Sequence, residues 1–251
     1  QSPQSFNTRS FFFGTVFEKQ GKLINESINI DYMKKNIVLT VAIFMVSIML
    51  LKAQNDPASQ AILNGVKSKT STYTDMKISF DLVVQTKDQG NKNTTNKSSG
   101  TIKLKGSKFQ LKMPSNLIYC NGTTVWSVMD DAETVQISNY EVKDGEISPA
   151  NLLTIWEQDF RNKLISEKTE NGIIIQTIDL IPLKSRDYFK VQLQIDKTKK
   201  QITKAIIYLR NGTTYTYTIL TLLPNQNITD AEFTCPIKDY QTKGYDIEDL
   251  R

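Results

Sequence analysis

The sequence predicts a mainly β chain: roughly ten or eleven antiparallel strands in one strongly curved meander, with two or three short helices. Three observations carry this. Apolar and polar residues alternate with a period of two along much of the chain beyond residue 75. Dipeptides that accept positive φ (Asn121-Gly122, Asn171-Gly172 and Asn211-Gly212) separate the later alternating stretches. Helix-start signals, by contrast, stand out at only two places, Asp56-Pro57 and Ser148-Pro149.

Taken in order, Met33-Lys34-Lys35 precedes Ile37–Leu51, fifteen residues without a charge, and then Lys52-Ala53-Gln54. A basic start, an apolar run and a small-residue exit have the layout of a secretory signal peptide. The run is short of the roughly 18 apolar residues a membrane-spanning helix needs. Residues 33–54 are therefore read as a cleaved signal peptide and residues 1–32 as a non-native upstream leader. Residues 55–251 form the single mature domain.

That domain opens with a helix over residues 57 to 70, capped by Asp56, with Ile62, Leu63 and Val66 as its apolar face. In the strand that follows, Met76, Ile78, Phe80, Leu82 and Val84 alternate with Lys77, Ser79, Asp81 and Val83. Residues Gly90–Ser99 are rich in Asn, Lys and Thr and read as a long loop. Further strands are expected at Thr101–Leu104, Lys108–Met113, Leu117–Tyr119, Thr124–Met129 and Thr134–Ser138. After the turn signal Asp144-Gly145, Ser148-Pro149 opens a second helix with Leu152, Leu153, Ile155, Trp156 and Phe160 on a broad apolar face. Strands then follow at Gly172–Ile181, Asp187–Ile195, Ile202–Arg210 and Thr213–Leu223, with a short one near Ala231–Thr234. A sheet of this size must close or bury a face, and the two helices are available to cover its concave side.

Composition excludes several function classes. Histidine is absent, so neither a Ser-His-Asp or Cys-His apparatus nor a His-containing zinc site is available. Two cysteines are too few for a Cys₄ site, and no GxxxxGK or GxGxxG loop is present. No enzyme, metal or cofactor is expected. Of the 31 basic and 26 acidic residues, six and three fall within residues 1–54, leaving 25 against 23 in the mature part. The sequence pI near 9.0 therefore argues little for nucleic acid, and no basic stripe with interleaved aromatics supports it. Cys120 and Cys235 permit one disulfide in an exported protein, or are simply two small apolar residues on strands. The six Asn-x-Ser/Thr sequons, at Asn25, Asn93, Asn96, Asn121, Asn211 and Asn227, are read as chance matches.

Four landmarks in this order carry a resemblance: an exported helix running into "YTDMKISFDL" (Tyr73–Leu82), the hairpin "GTIKLKGSKFQLKMP" (Gly100–Pro114), "YCNGTTVWSV" (Tyr119–Val128), and the late "ITDAEFTCPIKDY" (Ile228–Tyr240). Together, over about Asp56 to Arg251, they resemble the outer-membrane lipoprotein carrier family (LolA). The resemblance implies a single incomplete antiparallel β-barrel, a half-barrel, with a helical lid over its concave apolar face. It further implies a periplasmic carrier that takes acylated lipoproteins from an inner-membrane release complex and moves them towards an outer-membrane acceptor, as a monomer.

On that template the acyl groove is lined by Phe80, Leu82, Ile102, Leu104, Phe109, Leu111, Met113 and Trp126, and the lid by Leu152, Ile155, Trp156 and Phe160. Family members latch the lid with an arginine, but the stretch Lys103–Phe109 has none. Lys105 or Lys108 stands in as the latch cation, without the planar fork that lets arginine bind several carbonyls together. A half-barrel that binds free lipids, or one that senses lipoproteins, is the alternative reading, and a secreted hydrolase is the weakest.

Overall fold

The computed structural model describes residues 56–87, 93–141, 147, 154–157 and 159–251. The expected leader and signal peptide, the turn at Asp144-Gly145, the helix start at Ser148-Pro149 and the lid residue Leu152 lie outside the described residues.

Helix α1 spans Pro57–Thr70, with Asp56 as its N-cap and proline in its first turn. Asp56 Oδ1 accepts from the Ala58 N–H at 3.2 Å. Its Oδ2 accepts from the Leu164 N–H at 2.9 Å, and that bond holds the carboxyl below its ordinary pKa. Ser59, Leu63 and Val66 form the buried face of the helix. Ser59 Oγ donates to Asn162 Oδ1 at 2.6 Å, and Asn162 Nδ2 donates to Gln60 Oε1 at 3.1 Å. Ser59 and Asn162 are both buried, so the helix is fastened to the sheet by hydrogen bonds as well as by packing.

The strands are β1 (Met76–Lys87), β2 (Asn93–Lys105), β3 (Lys108–Lys112), β4 (Asn116–Cys120), β5 (Thr124–Met129) and β6 (Thr134–Asn139). After a 3₁₀ turn at Ile155–Glu157 come β7 (Phe160–Glu170), β8 (Ile173–Pro182), β9 (Tyr188–Asp196), β10 (Gln201–Leu209) and β11 (Thr214–Pro224). A 3₁₀ turn at Asp230–Phe233, helix α2 (Ile237–Thr242) and β12 (Asp246–Asp249) complete the chain. All twelve strands lie in one open, curled sheet of order β12-β6-β5-β4-β3-β2-β1-β11-β10-β9-β8-β7. Strand β1 is central and pairs with both β2 and β11, so two meanders meet along its two edges. The β7–β8 turn follows its sequence signal: Asn171 (φ 50) and Gly172 (φ 80) join the paired residues Glu170 and Ile173, the two-residue loop that suits twisted strands.

Five expectations are corrected. Within Gly90–Ser99, residues 93–99 are strand and not loop: β2 pairs with β1 in register from Lys87↔Asn93 to Met76↔Leu104. Polarity there reports exposure, while the Thr86 and Thr94 hydroxyls, 3.1 Å apart, bridge the ladder. Phe160 does not continue a second helix but begins β7, a strand the alternation did not reveal because its second inward position is Asn162. Ala231–Thr234 is not a strand: residues 231–233 belong to the 3₁₀ turn Asp230–Phe233, and Thr234 caps it. The sheet has twelve strands, above the ten or eleven expected, and they are not all antiparallel: β12 runs parallel to β6, Asp246↔Thr134 to Asp249↔Ile137.

Ser59→Ala removes the hydroxyl that meets Asn162 Oδ1 at 2.6 Å and should lower stability by about 1 kcal/mol. The urea midpoint should fall with no change in slope.

Candidate functional site

The two faces of the sheet are both apolar, and they are covered differently. On the first face, inward residues of β8 and β9 (Ile178, Leu180, Val191, Leu193) are fully buried beneath α1 and the Ile155–Glu157 turn. Further along the same face, on β1, β3, β4, β5 and β11, Leu82, Leu111, Ile118, Val125, Tyr217 and Ile219 pack against that core yet remain half-exposed. One continuous apolar surface thus passes from closed packing to partial cover.

Seven of the eight expected groove residues fall on this face. Phe80, Ile102, Leu104 and Phe109 are buried in the main cluster, with Leu82, Leu111 and Met113 half-buried beside them. Pairing explains the shared face: Ile78↔Ile102, Ile102↔Leu111 and Leu104↔Phe109 are cross-strand partners. The Phe80 ring packs 5.8 Å from that of Tyr217, and Phe109 meets Tyr140 edge-on at 5.9 Å. Opposite Phe80 stands Gly100, where an added Cβ would lie 2.6 Å from the Phe80 ring and 2.5 Å from Met113 Sδ. The glycine leaves room for both side chains, and a recess of about 340 Å³ opens beside them, reaching Pro114 and Leu220.

Of the lid residues, Ile155, Trp156 and Phe160 are buried in the same main cluster. Phe160 stacks on Tyr188 at 6.1 Å. A second recess, of about 470 Å³, lies where Trp156 and Phe160 meet the outer side of α1. Both recesses fall in the size range of small-molecule sites, near its lower end.

Trp126 is placed elsewhere. It lies on the opposite face with Tyr119, Val128, Val135 and Ile137, under a strap formed by the C-terminal segment, which contributes Cys235, Ile237, Tyr240, Tyr245 and Ile247. Tyr119 and Tyr240 share a hydrogen bond, and burial raises the Tyr119 hydroxyl pKa. Lys105 and Lys108 are on this side too. They pair with Asp230 at 2.9 and 2.7 Å, Lys103 pairs with Glu232 at 2.7 Å, and Lys105 also donates to the Ile228 carbonyl. The lysine bonds hold both carboxyls below their ordinary pKa. These lysines are therefore engaged by the C-terminal strap. Sequence reasoning missed the strap; its one signal was the run of carboxylates and apolar residues in "ITDAEFTCPIKDY".

Cys120 and Cys235 are free thiols in separate clusters on opposite faces, so the permitted disulfide does not form. Burial pushes Cys235 up to about 11 and also raises Cys120, which makes both poor nucleophiles. Among the described residues, no group of three or more His, Cys, Asp or Glu side chains converges to hold a metal. The arrangement offers apolar surface and recesses.

Residues 71–236 match the family described as outer membrane lipoprotein carrier protein LolA. The chain belongs to the LolA family. A search of curated proteins found no matching sequence. Among solved structures, this LolA-family chain is similar to an uncharacterized conserved protein from Thermus thermophilus (13% identity, TM-score 0.47, covering 76% of this chain and 99% of that one). It is also similar to a LolA superfamily protein from Nitrosomonas europaea (14% identity, TM-score 0.40, 71% and 98%). A third is the Mycobacterium tuberculosis lipoprotein LppX (14% identity, TM-score 0.43, 70% and 99%). No helix among the described residues is long and apolar enough to cross a membrane.

Two outcomes follow from this geometry. Gly100→Ala should force Phe80 and Met113 aside and lower stability by about 1–3 kcal/mol. Repeating it in a Phe80→Leu background should recover part of the loss in a double-mutant cycle. Asp230→Asn should weaken the strap, so that a neutral thiol reagent labels Cys235 several-fold faster while Cys120 labelling on the other face stays unchanged.

Proposed function

We propose that the chain is a periplasmic carrier that shelters the acyl chains of lipoproteins on the half-covered face, moving them from inner to outer membrane. In this reading the curled sheet serves as a half-barrel, and α1 with the Trp156 segment as its lid. The observation that carries it is the graded cover of one apolar surface: packed under α1, half-open along Leu82, Leu111, Ile118 and Val125. Each acyl CH₂ removed from water is worth about 0.8 kcal/mol, so an acylated protein crosses an aqueous compartment only if its chains are sheltered. A cargo must also be released, and partial cover shelters without enclosing. The partners in this reading are acylated lipoproteins, an inner-membrane release complex and an outer-membrane acceptor.

Free lipids are a second reading, favoured by one observation. Lys105 and Lys108 are engaged by Asp230 on the far face, which takes both from the lid-latching role the family gives to arginine.

Native mass spectrometry of freshly purified protein should show a bound acylated species, and its mass separates lipoprotein from free lipid. Leu82→Asn and Ile118→Asn, at half-exposed positions, should each weaken a fluorescent fatty-acid probe by roughly tenfold, the effect of losing two or so buried methylenes. Unchanged probe affinity in both variants would place the ligand somewhere other than this face.

A further inference from the structure

The end of the sheet that carries the β8–β9 and β10–β11 connections has a composition of its own. Antiparallel pairing gathers the start of β7, both connections and the end of β1 there, through Phe160↔Pro182, Tyr188↔Leu209, Tyr208↔Thr214 and Gln85↔Thr214. Hydrogen bonds fix the connections in place. The Leu183 N–H donates to the Asp159 carbonyl at 2.8 Å. The Arg210 N–H and Nε donate to the Asp187 and Arg186 carbonyls at 2.8 and 2.9 Å. Gly212 adjoins β1, since an added Cβ there would lie 4.0 Å from the Lys87 Cβ.

Two properties of this end point to one partner. Leu183 is 66% exposed, more than any other large apolar residue described, and Phe189 is 44% exposed. Single exposed apolar residues are ordinary, but these two stand among six cations. Lys87, Arg161, Lys184, Arg186, Lys190 and Arg210 outnumber Asp159, Asp179 and Asp187 two to one. Residues 55–251 as a whole are nearly balanced, at 25 basic against 23 acidic, so the surplus is local. Lys184 and Lys190 are engaged, by Asp159 at 2.6 Å and Asp179 at 3.4 Å. Lys87 and Arg161 are exposed and form no ion pair among the described residues.

We propose that this end docks on an anionic bilayer surface, with Leu183 and Phe189 entering the headgroup layer and the cations meeting lipid phosphates. This goes beyond the carrier reading, which needs only a sheltered apolar face. A bilayer suits the arrangement better than an acidic protein does. Leu183 borders the recess beside α1, on the first face. Phe189 packs 6.0 Å from Tyr208, which alternates with the core residue Ile207 and so stands on the other side of the sheet. Apolar anchors on two sides do not make the single central cluster of a protein hot spot. A lipid layer receives each of them separately.

Ser185, exposed between Lys184 and Arg186, is the place for a reporter, because the native thiols Cys120 and Cys235 are buried. Ser185→Cys in the full chain carries an environment-sensitive fluorophore, and Gln241→Cys in α2 carries the same label as a control. The probes are vesicles of three parts phosphatidylcholine to one part phosphatidylglycerol, and vesicles of phosphatidylcholine alone. At low salt the label at 185 should brighten and shift to the blue on the mixed vesicles and stay unchanged on the neutral ones. The label at 241 should respond to neither. Molar salt, which shortens the screening length to about 3 Å, should reverse the shift. Lys87→Gln and Arg161→Gln should each weaken binding to the mixed vesicles about fivefold, and Leu183→Ser about tenfold. Affinity for the fatty-acid probe should stay unchanged in all three.

An unmoved label at 185, an equal response on charged and neutral vesicles, or an equal response at 241 overturns the docking end. So does a response to polyglutamate without one to vesicles, which marks an acidic protein as the partner. The two readings fail separately. Probe binding beside an unresponsive label leaves the carrier standing, and a responsive label without probe binding leaves only the docking end.

Discussion

A strand places alternate side chains on opposite faces, so a sheet that is apolar on both sides has two surfaces to cover. Every other feature of this chain answers that constraint. The first face is closed at one end by α1 and the Ile155–Glu157 turn, which bury Ile178, Leu180, Val191 and Leu193. The second face, over β4 to β6, is closed by the C-terminal strap, which buries Trp126, Val128, Val135 and Ile137. The chain devotes hydrogen bonds to the first cover, through Ser59 and Asn162, and ion pairs to the second, through Lys103, Lys105 and Lys108. What remains half-open lies between these provisions, on the first face.

The division has an energetic logic. Surface ion pairs contribute little individually, typically 0–1 kcal/mol, and weaken with salt. They serve to position the strap while apolar contacts supply its hold, as its Tyr240 and Cys235 do in the cluster with Tyr119. The buried Ser59–Asn162 bond is the opposite case, shielded from both water and salt.

Much of this was legible in the residues, and the failures have physical causes. Asp56-Pro57 started a helix where expected, and Asn171-Gly172 made its hairpin, because both signals act through local backbone geometry. Alternation located β1 because polar residues separate its apolar ones. It failed at β7, where Asn162 fills an inward position through partners 102 and 103 residues away that no local window contains. It failed again at Trp126: β5 is apolar on both sides, with Val125 on one face and Trp126 and Val128 on the other, so its parity is set only by pairing with β4. The roles of Lys105 and Lys108 depend on Asp230, more than 120 positions downstream, and spacing gives no hint of it.

The pairing of β1 with β11, Met76↔Pro224 through Gln85↔Thr214, also sets the order in which the chain can assemble. Strands β1 to β6 are sequential neighbours and can zip up early, each closing a short loop. The outer edge of β1 then waits for a segment that leaves any N-to-C synthesis or export machinery more than a hundred residues later. Until it arrives, a row of unpaired backbone groups is exposed, the usual template for aggregation. Lys77 and Asp81 along that edge carry charge, which discourages a stray strand from docking. Nascent chains stalled before residue 214 should thus be the species most in need of a holding chaperone.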